Sequence, residues 1–407
     1  MYLSTVRPGA SVEGAPARRF VTGNVLALGL VSLVTDISAE MVTAVLPAYL
    51  VLGLHLSIAQ YGVVDGLYTG ATALTRLAGG YVADRFRLRK LVAGLGYGLS
   101  AVAKLGLLAA GAAPGAIGAV IAVDRTGKGL RTAPRDALIT LSSPADGLGR
   151  AFGVHRTLDS LGAFAGPLVA LAVLALAGSG QSYDAVFVAS FCAAVLGVLL
   201  LVLFVRDRRD ELPPVRASLP RAFGLLRQAR FRSLCVAAVL LGVTTVGDGF
   251  VYLILQRRDD LPIWTFPLLA VGANLAYLVL ATPLGWLADR IGRWPVVLGG
   301  YGALLAVYLL LASGHGPLPL ILGLYGLFYA ATDGVLMALA GPLLPAELRT
   351  SGFALVQSGQ ALAYLVSSVL FGLAWQNWGV PVACLVAAGA VAVALPVSGL
   401  LLKGRTP

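Results

Sequence analysis

Asp36 and Glu40 stand four residues apart inside a run of apolar residues, and that spacing puts both carboxylates on one face of a helix. A pair of acids held together in an apolar environment is suited to taking up and releasing protons near neutral pH. The same two residues could instead serve as fixed ion-pair partners for the arginines further along. A second concentration of charge runs through Asp124, Arg125, Lys128, Arg131, Arg135 and Asp136, again inside an otherwise apolar stretch. Of these, 124, 128, 131 and 135 recur at helical spacing, and the stripe is expected to face a central cavity. His155, Arg156 and Asp159 follow on the next stretch, with 155 and 159 one turn apart. His155 reads as a packing residue or as a proton relay.

The elements that carry these groups are membrane spans. The chain has 407 residues, 58% hydrophobic and only 12% charged, too little charge for a water-facing surface. Its apolar residues come in continuous runs such as 185–205 and 380–402, each near the ~20 residues that a helix needs to cross roughly 30 Å of hydrocarbon. Spans are expected over 24–50, 61–83, 90–111, 115–140, 149–176, 185–205, 233–256, 264–287, 294–312, 317–341, 349–373 and 379–402. An ionisable group inside a span costs roughly 2.5–3.5 kcal/mol on insertion scales, so each such group requires a partner or a wet cavity.

The net charge of +11 does not point to nucleic acid, because the basic residues fall in alternate loops. Arg18 and Arg19, the 85–90 loop, the 206–232 segment, the 290–293 loop and Lys403 lie on one side, and the intervening loops carry no Lys or Arg apart from Arg257 and Arg258. By the positive-inside rule both termini are expected in the cytoplasm, in a cell (inner) membrane. The polar start, Met1–Arg19, lacks the apolar core of a cleavable signal peptide. The Arg- and Pro-rich segment 206–232 reads as a cytoplasmic linker between a six-helix bundle over 1–205 and another over 233–407.

The two halves repeat. Gly80-Tyr-Val-Ala-Asp84-Arg85 recurs 205 residues later as Gly285-Trp-Leu-Ala-Asp289-Arg290, both after the second span of their half. Duplicated halves are a common way to build secondary transporters, with the substrate site near the midplane. These loops resemble the signature motif of the major facilitator superfamily. The second copy continues through Gly292 and Arg293, whereas the first has Arg87 where the family has glycine. The resemblance covers essentially the whole chain and implies an all-α membrane protein with the major facilitator fold, twelve transmembrane helices in two pseudo-symmetric bundles. It also implies that Gly80, Asp84, Arg85, Gly285, Asp289, Arg290, Gly292 and Arg293 steady one access state.

Two more patches resemble the drug–proton antiporter branch: Asp124-Arg125-Thr126-Gly127-Lys128-Gly129, and the glycine–proline motif Gly162, Gly166 and Pro167 associated with exporters. Asp36 to Met41 together with Arg131 to Asp136 resembles one prokaryotic subgroup of the superfamily. The resemblance implies a secondary active transporter, a proton-coupled exporter of a small molecule, with Asp36, Glu40, Asp124, His155 and Asp159 in proton coupling. Arg125, Lys128, Arg131, Arg156, Asp248, Asp333, Gln357 and Gln360 would line the substrate cavity, and the aromatic residues Tyr252, Tyr277, Tyr325, Phe328, Tyr329, Tyr364 and Trp375 would supply its apolar surface. The basic groups of spans four and five leave open an organic-anion or organophosphate cargo, since guanidinium binds such groups bidentately.

No nucleophile–base arrangement, metal-ligand spacing or P-loop is present, so an enzyme, a cofactor, a metal and ATP-driven pumping are not expected. Cys192, Cys235 and Cys384 read as small core residues. A monomer acting on a small molecule and protons within the lipid bilayer, with no nucleic-acid partner, is the expectation.

Overall fold

The computed structural model describes residues 22–86, 88–143, 147–178, 183–207, 223–333, 339–340, 343–344 and 349–402, with the side chains of 73–74, 76–86, 149, 349–351 and 402 excepted. Among these residues every regular element is helical. Span one is Gly23–Ala48, extended by a π-turn over Tyr49–Gly53, and Thr22 caps its start by accepting from the Val25 amide. Spans two to six are Ile58–Phe86, Arg89–Ala109, Pro114–Leu141, Leu148–Leu176 and Tyr183–Phe204. Pro114 stands in the first turn of span four, where its missing N–H is not needed.

Span seven comes in two pieces, Ala229–Val243 and Asp248–Arg258, separated by a non-helical stretch at 244–247. The continuous helix expected over 233–256 is therefore broken at its centre. Tyr308 repairs part of the break by accepting from the Val246 amide at 2.9 Å and donating to the Thr244 carbonyl at 3.0 Å. Tyr325 donates to the Val246 carbonyl at 3.2 Å. Backbone groups freed in a membrane must find such partners. Spans eight, nine and ten are Phe266–Ile291, Arg293–Ser313 and Leu318–Thr332. Spans eleven and twelve form one helical run, Arg349–Leu402, that turns at Gly379, whose φ of 80° favours glycine.

Eight of the described stretches are long and apolar enough to cross a membrane, and one of them, Gly352–Leu401, contains the turn at Gly379 and supplies two spans. Spans two and four are equally long but more polar, and Leu318–Thr332 is shorter, which brings the described spans to twelve. Large apolar side chains such as Leu176, Leu203, Phe204 and Leu400 point outward over the bundle, a surface suited to lipid.

Helix packing follows the internal repeat. Span one packs on five and six, span four on two and three, and span three on six. Their counterparts match: span ten packs on eight and nine, span nine on the Arg349–Leu402 run, and span seven on that run. The halves meet where span two lies along span eleven and span five along span eight. Glycines permit the first contact. A side chain at Gly62 would come within 2.5 Å of the Ser368 carbonyl oxygen, and one at Gly372 within 2.8 Å of the Ile58 carbonyl oxygen. Nearby, Tyr61 of span two packs edge-on against Phe250 of span seven at 4.8 Å, and Phe250 against Phe371 at 5.0 Å. Together these contacts close the molecule on the face that carries the 54–57 loop.

Overpacking a seam this tight costs about 1–3 kcal/mol. Gly62→Val is expected to lower the melting temperature of the detergent-purified protein, whereas Gly98→Ala, where added atoms meet open space, should leave it unchanged.

Candidate functional site

The closed seam roofs a central cavity of about 680 Å³ between the halves. Both bundles contribute, and their walls differ in chemistry. The N-terminal wall is ionic. Glu40 of span one faces Lys128 of span four with Oε1 3.9 Å from Nζ, and both side chains keep partial exposure, 25% and 30%. One turn back, Asp36 pairs with Arg131 at 3.4 Å, and this pair is buried. The Arg131 guanidinium also lies over the Tyr97 ring, 4.4 Å from its centre. Asp159 of span five forms an ion pair with Arg135 at 3.6 Å, and Arg135 reaches Asp136 at 3.0 Å and the Ser32 hydroxyl at 3.2 Å. His155 is buried with Nε2 2.8 Å from that same hydroxyl.

A second cluster joins spans three and four. Asp124 accepts from both Nε and Nη2 of Arg125 and from the Ser100 hydroxyl, and Lys104 lies 3.3 Å away. Arg125 then covers the Tyr68 ring at 3.7 Å, and Tyr68 bonds to Thr43. The helices come close enough for these short links because glycines face each other: a side chain at Gly96 would lie 2.7 Å from the Gly127 carbonyl oxygen.

The exporter-type glycines find a physical role here. A side chain at Gly162 would come within 2.5 Å of the Leu33 carbonyl oxygen and 3.2 Å of Asp36 Cβ. One at Gly166 would meet Glu40 Cβ at 2.6 Å. Span five is thus bare where it presses on the acidic face of span one. Pro167 follows on the cavity wall.

The C-terminal wall is aromatic and acidic. Asp248 begins the second piece of span seven, and its Oδ1 accepts from Tyr325 at 3.0 Å and from Tyr329 at 2.5 Å. Asp333 accepts from Tyr277 at 3.3 Å. Phe328 packs against Tyr329 at 4.9 Å and against Tyr301 at 5.1 Å, so the rings hold one another in place.

Several expectations need correction. Of the stripe 124, 128, 131 and 135, only Lys128 lines the cavity, with Arg125 beside it. The helix is turned by roughly 60° from the expected orientation, about 100° being the step per residue. Asp124 consequently meets span three, and Arg131 is buried between Asp36 and Tyr97 instead of facing cargo. Arg156 is exposed on span five and does not line the cavity, nor do Asp36, His155 and Asp159. Glu40, Asp248, Asp333, Gln357 and Gln360 do line it.

The second motif loop contributes no residue to the cavity lining. Gly292 has a φ of 98° between spans eight and nine, a geometry that favours glycine. Arg290 stacks on Trp286 at 3.8 Å, Asp289 is exposed, Gly285 faces open space, and Arg293 opens span nine. The side chains of Asp84 and Arg85, with Gly80 and with Arg87, lie outside the described residues.

The sequence reading gave Asp65 no place in the cavity. It lines the cavity from span two and ties the halves together, accepting from Tyr61 at 3.3 Å and from Ser368 of span eleven at 2.6 Å. An aspartate seven residues into an apolar helix, one turn from Tyr61 and Tyr68, was the available signal.

The two acid–base pairs on the N-terminal wall should respond unequally to loss of their cations. Removing one member of a buried pair strands its partner and costs about 3–5 kcal/mol, whereas a partly exposed pair contributes about 0–1 kcal/mol. Arg131→Ala is therefore expected to destabilise the purified protein far more than Lys128→Ala, as read from their melting temperatures.

Comparison with known proteins agrees with this architecture. The family model described as Major Facilitator Superfamily matches residues 28–273 and 264–407. An uncharacterized MFS-type transporter of Methanocaldococcus jannaschii is 30% identical over 378 residues, covering 88% of this chain and 90% of that protein. Among solved structures, the nucleoside transporter NupG superposes with a TM-score of 0.75 at 15% identity, over 94% of this chain and 100% of that one. A POT family transporter in complex with a thioalcohol-conjugated peptide gives 0.76 at 14% identity, over 93% and 95%. These two show the shared fold alone, while the family model and the archaeal relative settle the family. The chain belongs to the major facilitator superfamily and is a multi-pass membrane transporter.

Proposed function

We propose that this transporter is a proton-coupled exporter of a small molecule, working by alternating access of its two halves to the central cavity. One observation carries the reading: Glu40 stands on the cavity wall, partly exposed, 3.9 Å from Lys128. A carboxylate so placed can exchange protons with water in the cavity. Its neutralisation releases Lys128 and removes a charge that would otherwise resist a change of access. Asp36, paired with Arg131 behind it, supports this site from within the wall.

The fit of Gly162 and Gly166 against span one supports a role for the exporter-type motif in holding Glu40 in position. Loop charges support a topology with both termini on the cytoplasmic side of a cell membrane, with bundles over 1–205 and 233–407 and the linker 206–232 between them. On that topology the closed 54–57 face is external, and the cavity faces inward. The protein works as a monomer, with its substrate site built from its own two halves. Arg131 and Arg135 are engaged within the N-terminal wall, which weighs against the organic-anion reading that drew on them.

The test is proton movement in liposomes that contain a pH-sensitive dye, with pools of organic amines and organic anions added in turn. Wild type should move protons in response to one pool. Glu40→Gln should remain monodisperse and lose that response. Undiminished coupling in Glu40→Gln would remove Glu40 from the mechanism.

A further inference from the structure

The ionic bonds of the cavity are unevenly shared. Its lining includes four carboxylates, Glu40, Asp65, Asp248 and Asp333, against two basic side chains, Arg125 and Lys128. Both bases sit on the N-terminal wall and are engaged there, Arg125 by Asp124 and Lys128 by Glu40. Asp65 and Asp248 receive hydroxyl donors instead: Tyr61 and Ser368 for the first, Tyr325 and Tyr329 for the second. Among the described residues no ion pair joins either of them to a basic side chain.

These two acids come from opposite halves and meet at the break in span seven. Gly247, next to Asp248, faces the Asp65 carboxylate and the Tyr364 hydroxyl so closely that no side chain fits between them. The helix is interrupted where the carboxylate of span two approaches it. Tyr252, Phe328, Tyr329 and Tyr364 line the same cavity.

We propose that Asp65 and Asp248 form the recognition site for an organic ammonium ion. The site rests on the transporter reading above and names its cargo class. A cation supplies the counter-charge that this end of the cavity lacks, and an ammonium group can also lie against ring faces. The volume of about 680 Å³ suits a drug-sized molecule and far exceeds a bare metal ion. A carboxylate or phosphate cargo would be repelled by the same pair. Because Asp65 also bonds Ser368 across the seam, an ammonium ion that draws on Asp65 competes with a contact holding the halves together.

Equilibrium binding to the detergent-purified protein, followed by calorimetry without any gradient, tests the proposal. Phenethylamine and its trimethylammonium analogue are compared with phenethyl alcohol and phenylacetate, which keep the ring and change only the head group. The two cations should bind, with the alcohol and the acid at least about tenfold weaker. Asp248→Asn and Asp65→Asn should each weaken the cations by about tenfold or more. Tyr329→Phe, a milder change that removes one donor to Asp248, should alter the cation affinity if Asp248→Asn fails to yield folded protein. Preference for phenylacetate, no binding of either cation at millimolar concentration, or cation affinity unchanged in all the folded variants would overturn the proposal. Proton coupling in Glu40→Gln is a separate readout, so failure of one reading is distinguishable from failure of the other.

Discussion

A charge inside a membrane protein must be answered by another charge, a donor or water, and the interior of this molecule is arranged around that requirement. Isolated in hydrocarbon, each of Asp36, Asp124, Arg125 and Arg131 would oppose insertion. Held together, Arg131 answers Asp36, and Arg125 answers Asp124 with Lys104 beside it. These bonds cross between spans one, three and four, so they also set how those helices stand against one another. Glycine makes the arrangement geometrically possible. Gly96 and Gly127 let spans three and four touch, and Gly162 and Gly166 let span five close over the acids of span one.

The two halves share a packing plan but not a chemistry. The N-terminal wall neutralises its acids with arginine and lysine, whereas the C-terminal wall offers tyrosine hydroxyls to Asp248 and Asp333. Tyrosine supplies a donor without a charge and an apolar ring beside it, so that wall stays acidic and greasy at once. The broken span seven belongs to the same design. Its freed backbone is bonded by Tyr308 and Tyr325, and Tyr325 stacks on Phe328 of the cavity lining. Tyr325 thus links the break in the helix to the cavity wall.

Much of this was legible from residue order. Apolar runs located most spans to within a few residues because lipid leaves helices little freedom in length, although span ten ends at Thr332 and not near 341, and the placing of Asp36 and Glu40 on one side of span one followed from their spacing. The rotation of span four was not legible: a charged stripe is drawn equally to a wet cavity and to oppositely charged neighbours, and here Asp36, Ser100 and Tyr97 won. From the sequence Asp65 reads only as a further charge partner or as a residue snorkelling towards an interface, because a lone aspartate declares its role only once Ser368, more than three hundred residues away in the chain, is seen beside it. The break at 244–247 was equally hidden. Thr-Thr-Val-Gly is tolerated in helices, and where it opens Tyr308 accepts from one freed amide while Tyr308 and Tyr325 donate to freed carbonyls.

The bonds between spans three and four bear on how the protein enters the membrane in the first place. Span four carries Asp124, Arg125, Lys128 and Arg131, too much charge for a single helix to partition into lipid unaided. Span three, made just before it and joined by a short turn at 110–113, brings Lys104 and Ser100 to the same depth. A hairpin of these two helices answers Asp124 and Arg125 in its own crease, while Lys128 and Arg131 find their carboxylates on span one. A change to Ser100 or Lys104 would therefore bear first on how well this pair of helices sits in lipid, apart from any effect on cargo.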